Sequence, residues 1–226
     1  MAKRQGISPN LPYEGTVGRR RVAHTRNQAQ RRSQLVDAAA RAVLRQGATE
    51  AKLRDVAEEA ALTPASILYY FRDKHELLTE VYTHGTTAYV QHRRERVQSA
   101  ATAWEKLEAC IASGVPMRGT EEMTASQLLC ELLPLTFRDR KAASAHAEFN
   151  AAQIALYRDI LERGAASGNF TLTMPAPVLA RILLALEDGY VSEVLSGNLE
   201  PAEVREHILS LARASTGVTA PDQCDV

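Results

Sequence analysis

The chain has 226 residues, 45% of them hydrophobic and 5% aromatic, enough to bury a core in two units without a metal or cofactor to hold them together. Its 27 basic and 27 acidic side chains cancel overall, yet residues 1–74 hold 14 basic and 7 acidic groups and the remainder 13 and 20, so a +7 segment precedes a −7 one. No apolar run approaches the roughly 20 residues of a membrane span and the N-terminus lacks an apolar signal core, which points to a cytoplasmic protein without a membrane partner.

Cys110, Cys130 and Cys224 are odd in number and in no C-x-x-C arrangement, and the histidines, His84 and His92 included, form no ligand cluster. The expectation is no disulfide framework and no metal.

In chain order, residues 1–25 are rich in Gly, Pro and Arg without periodicity and read as a flexible basic arm. Arg19, Arg20 and Arg21 on such an arm suit a narrow A·T minor groove, or else only unspecific phosphate attraction. From Gln28 to Gln46 a helix places Leu35, Val36, Ala39, Val43 and Leu44 on one face, and Gly47 stops it.

Leu53, Val56, Ala57 and Ala60 form a second helical stripe; after a short turn, Thr63 caps a third helix that begins at Pro64. This is a helix-turn-helix. The small residues Ala65 and Ser66 let the backbone of its second helix approach a base-pair floor, and the hydroxyls of Tyr69 and Tyr70 reach towards phosphates. Asp73 and Glu76 read as a capping box that launches a long helix, with Leu77, Leu78, Val81 and Tyr82 facing inward and Lys74 at the N-terminus where a phosphate is favoured. A basic reading head and an acidic remainder orient docking on duplex DNA.

The rest shows helical periodicity near 101–113, 121–136, 139–166, 176–196 and 201–214, broken at Gly and Pro positions, with no alternating stretch long enough for a sheet. The expected fold is all-α: an arm over 1–25, a three-helix head over 26–73, a helical domain over 74–214 and a tail over 215–226. Within the larger domain, Tyr89, Trp104, Phe137, Phe149 and Tyr157 are the large aromatics, while Glu131, Glu148 and Glu187 are carboxylates among apolar neighbours. Aromatic faces with a carboxylate cage a cation; Leu128, Leu129, Leu132 and Leu133 would equally line a cavity for an apolar ligand. No nucleophile elbow, phosphate loop, dinucleotide fingerprint or metal spacing occurs, so an enzyme is not expected.

Over residues 31–82 the chain resembles the TetR family of bacterial transcription regulators, through Arg32–Leu44, Gly47, Arg54-Asp55-Val56-Ala57, Tyr69-Tyr70-Phe71, Lys74 and Leu77-Leu78. Ile67-Leu68-Tyr69-Tyr70-Phe71-Arg72-Asp73-Lys74 resembles most the branch of choline-responsive repressors of betaine synthesis. Two positions depart from the family pattern. Ala51-Lys52 replaces a usual Thr-Thr, leaving Lys52 to contact phosphate through charge, and Leu68 replaces Tyr or Ser, which makes it a poor base or phosphate contact, and is expected to pack.

The resemblance implies a homodimer on a near-palindromic operator, with an effector cavity in each C-terminal domain among Tyr89, Trp104, Leu128, Glu131, Phe149 and Tyr157. It also implies dimerisation through helices 176–196 and 201–214; Ile182, Leu186, Gly189 and Val194 are the candidate contacts, although packing within one subunit would need the same stripe. The function that follows is a repressor released by a small molecule; the alternatives are a constitutive dimeric DNA-binding protein and, less favoured, a helical enzyme.

Overall fold

The computed structural model describes residues 15–219, with side chains from Asn27 onward. Among the described residues there is no strand, and the order is α1 (Gly15–Gln46), α2 (Leu53–Glu59), α3 (Pro64–Tyr70), α4 (Lys74–Ser99), α5 (Ala103–Gly114), α6 (Glu121–Leu132), α7 (Arg140–Ala166), α8 (Ala176–Ser196) and α9 (Pro201–Thr216). A 3₁₀ turn (Leu133–Phe137) follows α6 within the stretch expected to be helical to 136 with a break at Pro134. Pro134 accounts for the break, because its missing N–H removes a helical hydrogen bond.

Two expected boundaries move. α1 begins at Gly15, so the segment bearing Arg19, Arg20 and Arg21 is helical backbone rather than a loose strand; these three side chains and residues 1–14 lie outside the described residues. At the other end α9 runs to Thr216, with Ser215 and Thr216 buried. The Thr171 and Thr173 N–H groups donate to the Thr216 and Ser215 carbonyls at 2.7 and 3.0 Å, which ties this end to the chain before α8. The start of the expected tail is therefore fixed in place, and residues 220–226 lie outside the described residues.

Caps set most helix starts. Thr63, Asp73, Thr102, Thr120 and Asp139 each accept a hydrogen bond from the backbone N–H three residues on. At α4 the expected reciprocal half is displaced by one residue, since the Glu76 carboxylate accepts from the Arg72 N–H at 2.8 Å rather than from Asp73.

Two clusters form the core. The first joins Leu35, Val36, Ala39 and Val43 of α1 with Val56, Ile67, Phe71, Leu77, Leu78, Val81 and Tyr82, and it reaches across to Leu128, Leu129 and Leu132 of α6. The second gathers Leu107, Ile111, Tyr157, Leu161, Leu179, Leu183, Val204 and Ile208 from α5, α7, α8 and α9. α4, 26 residues long, takes part in both, with Leu77 to Tyr82 in the first and Val97 in the second. The head and the larger domain thus share a core across the expected boundary at 73.

Gly164 shows how tight this packing is: a Cβ there would stand 2.1 Å from Phe170 Cδ2. Gly164→Ala should destabilise the fold by about 1–3 kcal/mol through overpacking, read as a lower denaturation midpoint at unchanged slope. An unchanged midpoint would refute the close approach.

Candidate DNA-reading surface and ligand cavity

The helix-turn-helix is built as its residues dictate. α2 and α3 are joined through Ala61, whose φ of 52° lies in the left-handed region, and Ile67 and Phe71, 0% and 1% exposed, anchor α3 inward. The Thr63 hydroxyl accepts from the Ser66 N–H at 3.2 Å and lies 2.9 Å from the Ser66 hydroxyl, so Ser66 is engaged in the cap of its own helix. Arg32 of α1 stacks on Phe71, 4.2 Å from the ring centroid, and donates to the Tyr70 carbonyl at 2.7 Å, which locks the end of α3 against α1.

Facing outward are Thr63, Ala65 and Tyr69, the last 71% exposed, with Ser66 and Tyr70 half-buried. The Tyr69 and Tyr70 rings meet edge to face at 5.0 Å, and Gln28 Nε2 donates to the Tyr69 hydroxyl at 3.4 Å. Lys52 is exposed at the start of α2, where its N–H donates to Asp55 at 2.7 Å; Lys74 donates to the Thr49 carbonyl at 3.0 Å and stays partly open to solvent. Arg54 and Arg72, which were not among the expected DNA contacts, expose 74% and 81% of their side chains on the same unit. Leu68 does not pack as expected: it is 48% exposed on α3, because Ile67 and Phe71 already occupy the inward positions.

The larger domain contains a cavity of about 220 Å³. Tyr82 and Tyr89 of α4, Phe137 at its rim, Phe149 and Gln153 of α7, Glu187 and Asp188 of α8, and Ser126, Leu129 and Cys130 of α6 contribute to its wall. Tyr89 and Phe149 meet edge to face at 5.6 Å, and the Tyr89 hydroxyl donates to the Ser113 carbonyl at 3.2 Å. Burial pushes the Tyr89 phenol up to about 12, so it remains a neutral donor.

Behind this wall lies a buried ion pair. Both Arg93 terminal nitrogens donate to the Glu187 carboxylate at 3.0 Å, and they also reach Gln153 Oε1 at 2.5 Å and the Cys110 carbonyl at 2.8 Å. The Tyr157 hydroxyl donates to the same carboxylate. Burial is the largest influence on both and opposes both charges; for Arg93 the combined attraction of Glu187, Cys110, Tyr157 and Tyr89 outweighs it and holds the guanidinium well above its ordinary range, whereas the Glu187 carboxyl remains raised despite Arg93. Gly114 makes room for the carboxylate, since a Cβ there would fall 2.0 Å from Glu187 Oε1.

Asp188 differs from its neighbour. The residue as a whole is exposed and joins no ion pair among the described residues; partial burial of its carboxyl raises it, and the positive influence of His146 and Arg93 pulls the other way. His146 is itself held by the Tyr82 hydroxyl at 2.7 Å and by Asn150 at 3.1 Å.

Of the six candidate effector contacts, Tyr89 and Phe149 line this cavity, and Tyr157 stands behind it on Glu187. Trp104 lies instead under the Arg213 guanidinium at 5.7 Å, in the second core cluster. Leu128 is buried in the first cluster, and its neighbour Leu129 takes the wall position. Glu131 is exposed on the far side of α6, where it accepts from the Ala48 N–H at 3.2 Å and so ties α6 to the segment joining α1 and α2. Glu148 is exposed.

Asp188, Tyr82, His146, Gln153 and Ser126 were not among the expected wall residues. The polar pair at 187 and 188 inside the apolar run of α8, one turn before Val191, was the available signal. On the candidate dimer face, Ile182 and Gly189 are exposed and Leu186 is half-buried. Val194, 4% exposed, belongs to the subunit's own core and is not available to a partner.

Comparison with known proteins agrees with this geometry. Residues 35–81 match the bacterial regulatory proteins of the tetR family. A fatty acid metabolism regulator protein of Bacillus subtilis is 25% identical over 79 residues, which is 35% of this chain and 41% of that protein, so the match spans less than half of the relative's length. A transcriptional regulator of Saccharomonospora viridis, solved in complex with choline, superposes with a TM-score of 0.76 at 19% identity, covering 83% of this chain and 98% of that one. FadR of Bacillus subtilis, solved with stearoyl-CoA, superposes with a TM-score of 0.59 at 17% identity over 83% of this chain and 99% of its own. The helix-turn-helix lies inside the segment that matches the tetR family of bacterial regulatory proteins, and the all-helical fold around it is similar to that of the Saccharomonospora viridis transcriptional regulator.

Proposed function

We propose that the protein is a homodimeric, operator-binding repressor released from DNA by a small cationic effector held in the cavity of each subunit. The observation that carries the effector assignment is Asp188, a carboxylate without an ion-pair partner among the described residues, in a wall that also holds Tyr82, Tyr89, Phe137 and Phe149. Aromatic faces and an anionic oxygen are the groups that attract an ammonium. Glu187 does not serve, because Arg93 and Tyr157 already occupy it.

Size supports a compact ligand. About 220 Å³ lies below the roughly 300–1,000 Å³ of sites for drug-sized molecules, which suits a metabolite of choline's dimensions and is too small for an acyl-CoA without opening. The choline bound to the Saccharomonospora viridis regulator is consistent with that class. The exposed α8 positions Ile182 and Gly189, where nothing stands within 4 Å of a glycine Cβ, leave room for a second copy of α8, and the dimer would set two heads roughly 34–36 Å apart on a near-palindromic operator. A constitutive DNA-binding dimer would share all of this except the response.

Calorimetric titration with choline should give saturable binding that Asp188→Asn weakens at least tenfold while leaving operator affinity unchanged, because the substitution removes a charge and keeps the shape. Choline should lower operator affinity 5- to 150-fold, the range of ordinary coupling. Equal binding by Asp188→Asn, or a neutral or anionic ligand that binds both proteins alike, would overturn the cation assignment. No ligand-dependent change in operator affinity would favour the constitutive dimer.

A further inference from the structure

We infer that Leu68 reads the 5-methyl group of a thymine, making it a determinant of operator sequence. This rests on the head binding DNA as proposed above. α3 presents Pro64, Ala65 and Leu68 to solvent at positions i, i+1 and i+4, and Leu68 is 48% exposed. None of these three side chains carries a donor or acceptor.

Such a stripe has nothing to offer the hydrogen-bonding edges of bases. The major groove displays one apolar group, the thymine methyl, and an aliphatic side chain on the inserted helix is its natural complement. Of the polar neighbours, Ser66 is half-buried and spends its hydroxyl on Thr63 at 2.9 Å, while Tyr69, 71% exposed, carries its hydroxyl at the far end of a ring and accepts there from Gln28 at 3.4 Å. Around the stripe stand cations for the backbone: Lys52, Arg54, Arg72 and Lys74 lie exposed or half-exposed on the same unit, within the +7 segment over residues 1–74.

An exposed leucine in the head therefore has a defined occupant in duplex DNA. Inside the fold it has no equivalent role, because Ile67 and Phe71 fill the inward side of α3. Removing Leu68 should consequently leave folding intact and change recognition.

The test uses the full-length protein and an operator selected from randomised duplexes. Each thymine of that operator is replaced by deoxyuridine, which deletes the methyl and keeps every hydrogen-bonding group. The wild-type protein should lose about fourfold at one thymine of each half-site, the value of burying one methyl group, and about 16-fold when both half-sites are changed. Leu68→Ala should have an unaltered far-UV circular dichroism spectrum and melting temperature, bind the thymine operator more weakly, and be indifferent to uracil at that position.

Indifference of the wild type to every thymine replacement overturns the inference, as does a Leu68→Ala protein that discriminates as strongly as wild type. If no duplex is bound beyond a sequence-independent background, the DNA-reading assignment fails first and the role of Leu68 with it; that outcome is told apart by the failure of the selection itself.

Discussion

Glu187→Ala should lower the thermal midpoint by roughly 6–20 °C. Removing one partner of a buried ion pair leaves the other charge uncompensated and costs about 3–5 kcal/mol. Each kcal/mol is worth roughly 2–4 °C in a domain of this size. Here the orphan would be Arg93, with 1% of its side chain exposed, whose guanidinium would keep Gln153 and Cys110 as its hydrogen-bond acceptors among the described residues. The double variant Arg93→Met with Glu187→Leu should recover most of the loss, since an apolar pair of similar volume removes both desolvation penalties. Differential scanning calorimetry of the two variants checks both statements. A midpoint within about 2 °C of wild type for Glu187→Ala, less than one kcal/mol on this scale, would mean that the pair is solvated.

Operator affinity should fall by a factor of roughly 10³–10⁵ between 50 and 200 mM salt if the two heads together neutralise about 6–10 phosphates. The cause is counterion release around the +7 segment of residues 1–74. Arg54 and Arg72, whose side chains are 74% and 81% exposed, lie 3.5 and 3.2 Å from Asp55 and Asp73, and must turn from these partners to reach a phosphate. Lys74→Ala should weaken binding to all sequences alike and reduce the salt slope by about 2 for a dimer, since each head then leaves one more phosphate with its counterions. Fluorescence anisotropy across a salt series measures both quantities. A flat salt dependence would exclude the head as a phosphate-binding surface.

What could be read from the chain alone is what local chemistry decides. Thr63 followed by Pro64 starts α3, Asp73 starts α4, and Gly47, with φ of 81°, ends α1, because caps, a fixed proline φ and left-handed glycine act over about four residues or fewer. The inward stripe Leu35, Val36, Ala39 and Val43 was equally legible, since helical periodicity assigns a face whatever that face meets. The start of α1 was not. Glycines at 15 and 18 argue against a helix locally, yet the backbone is helical from Gly15.

Periodicity does not say which neighbour a face will meet, and there the tertiary structure alone decided. Glu131 and Asp188 are both carboxylates on amphipathic helices, but α6 turns Glu131 outward to the Ala48 N–H while α8 brings Asp188 to the cavity wall. Trp104 had the composition of a ligand cage and went to Arg213, and Val194 had the spacing of a dimer contact and went to the subunit's own core. Leu68 was assigned to packing by its apolarity and came out exposed, because Ile67 beside it and Phe71 one turn on already saturate the inward side of α3. Each of these outcomes depends on the azimuth of one helix against another, set by the summed packing of residues far apart in the chain, and no window of sequence contains that sum.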